Sequence, residues 1–189
     1  PPGCRPTAAG IVAGKQITGD KSPNSLLNGQ SVHLMVKTYP DARLVFIIRD
    51  GQVLLIRKKS GLGAGKVNGP GGRIEAGETD EAGAVREVEE ELLITPTGVR
   101  KAGELRFQFT DGYALHGAVY TAAGFTGTPT ETREAAPLWY PVDAVPYDDM
   151  WADDRLWFPL MLAGKGFRGW FVFEGDAMLD ARVAPAAFD

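Results

Sequence analysis

The sequence lacks the features that would place it outside a reducing compartment or in a membrane. Cys4 is the only cysteine among 189 residues, so no internal disulfide is possible, and we expect a cytoplasmic protein. No apolar run is long enough to cross a bilayer, and no basic stretch followed by an apolar one opens the chain, so we expect no membrane partner. The net charge of −4 comes without a basic block, which argues against a nucleic acid polymer as partner.

Two familiar nucleotide-binding motifs are also missing. The glycine-rich segment 60–66 ends in lysine, but Ser60 replaces the first glycine of a P-loop, and Val67 follows Lys66 where Ser or Thr would bind magnesium. No three glycines have the dinucleotide-binding spacing before a helix. His33 and His116 are the two histidines, and neither has a ligand partner at metal spacing. These features alone identify no function.

The pattern of residues predicts an extension followed by one domain. Frequent Pro, Gly and Asn interrupt any periodicity in residues 1–40, which predicts a flexible N-terminal extension, and the domain is expected at 41–189. Asp50-Gly51 between two apolar runs predicts a hairpin. Strands are expected at 44–48, 53–56, 103–109, 115–120, 138–140, 169–173 and 178–183, and helices at 79–92 and 153–162. Pro159 should bend the second helix or lie near its start. Strands flanked by two helices indicate an α/β sandwich around a mixed sheet.

The first predicted helix carries an unusual concentration of carboxylates. Thr79 is a good N-cap, and the apolar residues gather on one side. Glu87, Glu90 and Glu91 stand together on the other side, where like charges repel. A bound Mg²⁺, which prefers carboxylate oxygens and substrate phosphates, would relieve that repulsion. The alternative is an ordinary solvated acidic face.

The spacing of this stretch resembles the signature box of the Nudix hydrolases. Gly72 is followed after five residues by Glu78, then after seven by Arg86-Glu87-Val88, and after one more by Glu90-Glu91. One position departs from the family pattern, because Leu93 stands where a glycine usually ends the helix. We therefore expect an altered helix end with the metal ligands left in place. The resemblance implies a Nudix-type α/β/α sandwich and cleavage of a diphosphate bond with Mg²⁺, or with Mn²⁺ as an alternative.

The rest of the chain is similar to the branch that hydrolyses oxidised purine nucleoside triphosphates, over about residues 43–183. The segments that carry this similarity are Lys58-Lys59, Gly63-Ala64-Gly65, Asn68-Gly69, Gly127-Thr128-Pro129, Asp149-Met150-Trp151, Asp153-Asp154 and Trp157-Phe158-Pro159. It implies hydrolysis of 8-oxo-dGTP and 2-hydroxy-dATP to a nucleoside monophosphate and pyrophosphate, which would cleanse the nucleotide pool. We expect a monomer.

The resemblance also implies roles for individual residues. The metal would be bound by Gly71, Glu87, Glu90, Glu91 and Glu134, and catalysis would involve Glu87, Glu90, Glu91 and Arg86, with either Glu90 or Glu91 as the general base. Arg86 is expected to hold a carboxylate through two hydrogen bonds. Lys58 and Lys59 would contact phosphate. The base would be bound by Asn68, Phe107, Trp151, Asp153, Asp154 and Phe173. One of the adjacent aspartates is expected to be protonated.

Several alternatives stay open from sequence. Asp153 and Asp154 fit a helix cap as well as a base-reading pair, and the aromatic residues fit an ordinary core. Four departures from the branch concern the expected base pocket: Leu62, Val67, Pro70 and Arg43. Because Leu62, Val67 and Pro70 stand where the branch has aromatic residues, and Arg43 where a small hydroxyl is usual, we expect the pocket to be roomier or more polar on that side and its preferred purine to differ. Another nucleotide substrate, or a module that binds nucleotide without cleaving it, remains the alternative function.

Overall fold

The computed structural model describes residues 25–27, 30–32 and 41–188, and the chain divides into two compact units, residues 1–33 and 34–189. In the first unit, strands β1 (Ser25–Leu27) and β2 (Gln30–Val32) pair antiparallel. This pairing was not predicted from the sequence. Most of the predicted flexible extension at 1–40 lies outside the described residues, so that assignment stays a prediction. No helix among the described residues is both long and apolar enough to span a bilayer.

The second unit contains every strand and both helices that the sequence predicts. Its elements are β3 (Asp41–Arg49), β4 (Gln52–Lys58), β5 (Val67–Asn68), β6 (Gly71–Arg73), α1 (Asp80–Leu92), β7 (Ile94–Thr97), β8 (Arg100–Phe109), β9 (Ala114–Ala122), β10 (Gly124–Gly127), β11 (Ala135–Pro141), α2 (Asp154–Leu162), β12 (Phe167–Glu174) and β13 (Ala177–Pro185). A single 3₁₀ turn, Tyr147–Asp149, precedes α2. The short strands β5, β6, β7 and β10 were not predicted.

The main sheet is mixed. Its strand order is β11-β4-β3-β9-β8-β12-β13, with β5 paired to β4 and β6 to β3. The pairs β3–β9 and β8–β12 are parallel, and the other neighbouring pairs on this path are antiparallel. Strands β7 and β10 form a separate antiparallel pair. The pairing of β5 and β6 matters most for function, because it fixes the segment between the glycine-rich loop and α1.

The two helices cover opposite faces of this sheet, as the alternation along β3 shows. Val45 points into a buried cluster with Val88 of α1. Its neighbour Phe46 points the other way and meets Trp157 of α2 at a ring separation of 5.8 Å. The predicted α/β/α sandwich around a mixed sheet is therefore confirmed.

The backbone at the Asp50-Gly51 turn and at Pro159 follows from residue type. Asp50 and Gly51 have φ angles of +54° and +73°, which fits the type I′ turn that this dipeptide favours. Pro159 lies inside α2 and not near its start. The helix continues past it, since the N–H of Ala163 donates to the Pro159 carbonyl at 3.1 Å.

Helix α1 begins and ends with recognisable caps. The Thr79 side chain accepts a hydrogen bond from the N–H of Ala82 at 3.2 Å, as predicted. At the other end Leu93 takes the left-handed conformation itself, with φ +58°, and its N–H donates to the Glu89 carbonyl at 2.9 Å. The expected change in the helix end is thus wrong, because Leu93 adopts the backbone that a glycine would supply, at a conformational cost.

Candidate active site

Arg86 is the centre of the polar face of α1. Its Nε and Nη2 donate to the two carboxylate oxygens of Glu78 at 2.7 and 3.1 Å, which is the expected two-bond pairing. Its Nη1 lies 3.0 Å from an oxygen of Glu87 and 3.0 Å from one of Glu90. The guanidinium therefore supplies part of the positive charge that offsets the repulsion between these acids, beside any bound metal. It also fixes the orientation of three carboxylates at once.

Glu91 is the most deeply buried of the acids, with 2% of its surface exposed. The N–H of Gly71 donates to its Oε2 at 2.7 Å, and Nζ of Lys58 lies 3.7 Å from its Oε1. Burial raises the pKa of this carboxyl to about 7, and repulsion from Glu87 and Glu134 adds to the rise, while Gly71 and Lys58 oppose it. Glu91 is thus held in place by β6 and is costly to ionise without a further positive charge nearby.

The glycine pair before α1 lets the backbone pass close to these acids. An added Cβ on Gly72 would lie 2.2 Å from Oε2 of Glu87, and one on Gly71, where φ is +152°, would lie 1.9 Å from the carbonyl oxygen of Arg43. A side chain is excluded at Gly71, where it would meet the backbone, while one at Gly72 would displace the Glu87 carboxylate. Burial also raises the pKa of Glu87, helped by Glu90 and opposed by Arg86.

The donor set fits a hard divalent cation, as expected of this group of residues. Among the described residues, no three His, Cys, Asp or Glu side chains form a ready-made ligand arrangement. Glu87 and Glu91 are nevertheless adjacent carboxylates whose pKa values are raised by burial, so a cation is the partner that would favour their ionised forms. Glu90 is more exposed and is tied to Arg86. Glu134 is close enough to repel Glu91 electrostatically.

The two predicted phosphate lysines have different surroundings. Nζ of Lys58 lies at the acidic cluster, beside the carboxylate of Glu91. Lys59 instead pairs with Glu131 at 2.7 Å, and its N–H donates to the Glu134 carbonyl at 2.8 Å. Lys58 is therefore the one of the pair that already lies among the acids, while Lys59 ties β4 to the loop that carries Glu134.

A cavity of about 90 Å³ lies on the α2 side of the sheet, and all six predicted base-binding residues line it. They are Asn68, Phe107, Trp151, Asp153, Asp154 and Phe173. The lining that sequence reasoning missed is apolar: Ala42, Leu44, Leu105, Phe109, Leu115, Gly117 and Trp157. Strand alternation was the available signal, because residues two apart on β3, β8 and β9 face the same side. Leu62 also lines the cavity, so this departure does affect the pocket.

Arg43 corrects an expectation about this pocket. Ala42 and Leu44 line the cavity, so Arg43 between them faces the other side of β3. Its guanidinium is only 4% exposed and pairs with Asp80 at the start of α1. The prediction that Arg43 makes the base pocket roomier or more polar is wrong, because one step along a strand reverses the direction of the side chain.

Asp153 and Asp154 are both nearly fully buried at the cavity. Nε1 of Trp157 donates to Oδ2 of Asp153 at 2.9 Å, and the N–H of Trp151 donates to Oδ2 of Asp154 at 3.0 Å. Asp153 occupies the N-cap position of α2 without making a side-chain capping bond, so capping does not explain it. Its Oδ1 is buried and has no hydrogen-bond partner. That oxygen is available to a ligand.

Burial raises the pKa of both aspartates. The pKa of Asp153 rises to about 6, and that of Asp154 rises well above its ordinary value because Asp153 also repels its charge. Lys66 opposes the rise at Asp154. A protonated carboxyl can donate a hydrogen bond as well as accept one, so the pair can present both functions to a ligand.

Asn68 and Trp151 complete the polar and aromatic parts of the cavity wall. Oδ1 of Asn68 accepts a hydrogen bond from the N–H of Gly69 at 2.8 Å, which leaves the amide nitrogen to donate to a ligand. The Trp151 ring meets Phe173 edge-on at 5.6 Å. A mostly apolar pocket with a few convergent polar groups is typical of a binding site for a small molecule.

Comparisons with known proteins agree with this site. The NUDIX domain model matches residues 38–161. The chain is 44% identical over 139 residues to the oxidized purine nucleoside triphosphate hydrolase of Danio rerio, covering 72% of this chain and 88% of that protein. It is 42% identical over 132 residues to the protein of that name from Mus musculus, covering 69% and 85%.

A solved structure supports the same fold. The mutator MutT protein from Bacillus halodurans superposes with a TM-score of 0.69 at 24% identity, covering 76% of this chain and 97% of that one. Of the box residues, Arg86, Glu87, Val88, Glu90 and Glu91 lie on α1, while Gly72 lies on β6 and Glu78 in the turn between them. The family match spans most of the described second unit. This chain belongs to the Nudix family, whose members generally use a divalent metal.

Proposed function

We propose that this protein hydrolyses oxidised purine nucleoside triphosphates, such as 8-oxo-dGTP and 2-hydroxy-dATP, with Mg²⁺ as the metal. Water would attack a phosphorus atom, the bond between the α and β phosphates would break, and the products would be a nucleoside monophosphate and pyrophosphate. The observation that carries the proposal is the convergence of Asn68, Trp151, Asp153 and Asp154 on one cavity. The named activities of the Danio rerio and Mus musculus relatives point to the same substrates.

The polar groups of the cavity suit the edge of an oxidised purine. Such a base carries both N–H donors and carbonyl acceptors. The unpaired Oδ1 of Asp153 is a partner for a base N–H, and the amide nitrogen of Asn68 is a partner for a base carbonyl. If one carboxyl of the Asp153–Asp154 pair is protonated, it adds a donor. We expect Phe107 and Phe173 to enclose the ring and Trp151 to stack on it.

The acidic face of α1 would act on the triphosphate. Gly71, Glu87 and Glu91 are proposed to hold Mg²⁺, with Glu134 approaching from its loop and Glu90 in support. The metal, when bound, would offset the negative charge of the phosphates. Lys58 lies at the same cluster, which supports its proposed contact with a phosphate oxygen. Arg86 keeps Glu78, Glu87 and Glu90 oriented.

Of the two candidates for the general base, Glu91 has the better-defined position. It accepts from Gly71 and is nearly fully buried, whereas Glu90 is exposed and bound to Arg86. A base that is fixed by its surroundings can hold a water in line with phosphorus at less entropic cost.

We propose that the reaction takes place on free nucleotides in the cytoplasm, by a monomer.

The test is a panel of nucleotides with pyrophosphate release as the readout. We expect the parent protein with Mg²⁺ to favour 8-oxo-dGTP and 2-hydroxy-dATP over dGTP, dATP and nucleoside diphosphate derivatives. Glu91→Gln should lower turnover by orders of magnitude while leaving nucleotide binding largely intact. Glu89→Gln is the matched control on the same helix, since Glu89 is exposed and bonds to Thr95.

Three results would contradict the proposal. Preference for an ordinary nucleotide would keep the chemistry but change the substrate. Binding of the nucleotides without any release of pyrophosphate would indicate a sensing module. Equal turnover of Glu91→Gln and Glu89→Gln would remove Glu91 from the reaction.

A further inference from the structure

The glycine-rich loop at residues 60–66 packs against Trp151, one of the aromatic residues that line the cavity. Nζ of Lys66 lies 4.8 Å from the centre of the Trp151 ring, within the range of a cation–π contact. Gly63 has φ of +77°, and a Cβ there would lie 2.9 Å from Nε1 of the indole. The loop therefore approaches Trp151 so closely that a side chain at Gly63 would collide with the ring.

Hydrogen bonds hold this loop in a defined shape. The N–H of Lys66 donates to the Gly63 carbonyl at 3.0 Å, and the N–H of Lys58 donates to the Lys66 carbonyl at 3.0 Å. Arg57 of β4 then joins the loop to the segment before Trp151, because it donates to the Gly65 carbonyl at 3.0 Å and to Asp149 at 3.2 Å. The cation and the indole are thus carried by two segments that are fastened to each other.

The Lys66 side chain makes a further contact that fixes its position. Its Nζ lies 3.0 Å from Oδ2 of Asp176, in the turn between β12 and β13, and the side chain is only 25% exposed. It also acts electrostatically on Asp154 at the cavity. One ammonium group therefore links the loop, the last hairpin and two residues of the cavity wall.

The placement of the cation has a consequence for stacking. Because Lys66 covers one face of the indole, a base that stacks on Trp151 must use the other face. Phe173 meets the ring edge-on at 5.6 Å and restricts its rotation. We propose that Lys66 is a positioning residue for the base: it fixes the orientation of the Trp151 ring, an inference that rests on the proposed binding of a purine. On this proposal the glycine-rich loop contributes to base binding by carrying Lys66, although its composition is also typical of a phosphate-binding loop.

The experiment compares Lys66→Gln, which removes the charge, with Lys66→Arg, which retains it. Lys165→Gln is the control, since Lys165 is an exposed lysine outside this contact. Binding of 8-oxo-dGMP, measured by calorimetry, should weaken about threefold or more in Lys66→Gln, in line with the strength of an accessible cation–π contact. Lys66→Arg should restore most of the affinity, and Asp176→Asn should weaken binding less than Lys66→Gln does.

Inhibition of nucleotide hydrolysis by inorganic triphosphate distinguishes the positioning role of Lys66 from a direct contact between Lys66 and phosphate. Lys66→Gln should leave that inhibition unchanged, because the ring and the base are not involved. A loss of triphosphate inhibition together with unchanged binding of 8-oxo-dGMP would assign Lys66 to the phosphates and overturn the inference.

A measurement on the free protein makes the inference independent of substrate identity. With 5-fluorotryptophan incorporated, the ¹⁹F resonance assigned by Trp151→Phe should shift or broaden in Lys66→Gln and stay near its parent position in Lys165→Gln. An unchanged Trp151 resonance in Lys66→Gln would refute the positioning role. If the parent protein instead fails to bind oxidised purines while the Trp151 resonance responds as expected, the proposed function fails and the loop–indole contact stands.

Discussion

Asp153→Asn should make the protein more stable at neutral and alkaline pH. The carboxyl is 2% exposed, it receives one hydrogen bond from Trp157, and its other oxygen has no partner. Ionising such a group is costly, and its pKa accordingly rises from 3.8 to about 6 because of burial. Asparagine has nearly the same shape, can still accept from Trp157, and never ionises.

The direction of this pKa shift determines the pH range over which Asp153 lowers the free energy of unfolding. Between pH 4 and 6, roughly, folded Asp153 holds a proton that the unfolded chain has already released, so the free energy of unfolding falls as pH increases through this range. Above this pH range the free energy of unfolding has fallen by the full amount due to Asp153. A difference of about 2 in pKa corresponds to about 3 kcal/mol, which is an upper bound because Asp154 shares the ionisation. For a chain of this size that is a rise in Tm of about 6–12 °C.

The assay is urea unfolding of parent and variant from pH 4 to pH 8. The stabilisation by Asp153→Asn should be close to zero at pH 4 and should grow to its full value by about pH 7. Asp143→Asn is the control, since Asp143 is exposed, and it should show no such dependence. If Asp153→Asn gives the same difference at both ends of the range, or destabilises at pH 8, Asp153 is not a buried group that resists ionisation.

Two further predictions concern specificity and the helix end. Asp154→Asn should lower the ratio of 8-oxo-dGTP to dGTP hydrolysis, by about tenfold if a carboxyl hydrogen bond to the base is lost; an unchanged ratio of kcat/KM values would place recognition elsewhere. Leu93→Gly should raise the free energy of unfolding by about 0.5–1 kcal/mol, because Leu93 is left-handed and 60% exposed. Leu93→Ala, which keeps a Cβ, should not stabilise, and a gain as large as that of glycine would refute the argument from strain.

The sequence was sufficient for α1 because the information for a helix is local, whereas the six predicted residues of the cavity were taken from the resemblance to the family and not from any spacing. Arg86 lies four residues before Glu90 on α1, so helix spacing places these two side chains together. Glu78 lies before the N-cap Thr79, so its two bonds to Arg86 depend on the turn that leads into the helix. The direction of Arg43 was readable in principle from strand alternation. It was misjudged because its place in the family pattern was weighed above the period of two.

The contacts of Lys66 could not have been predicted in the same way. Trp151 and Asp176 are distant along the chain, and they meet Lys66 only because β4 and β12 belong to one sheet with loops at the same end. Likewise, nothing in the composition of the loop distinguishes a glycine that approaches an indole from one that approaches a phosphate. Such tertiary contacts are set by the whole topology.

The two halves of the proposed site lie on opposite sides of the sheet. The acids lie on α1, and the base cavity lies on the opposite, α2 side of the sheet. The short segment 67–73 joins them, with Asn68 at the cavity and Gly71 bonded to Glu91. Leu62, which departs from the usual residue, lines the cavity, whereas the acids of the box are intact. We therefore expect substitutions on the α2 side to change which purine fits without disturbing the carboxylates that are proposed to hold the metal.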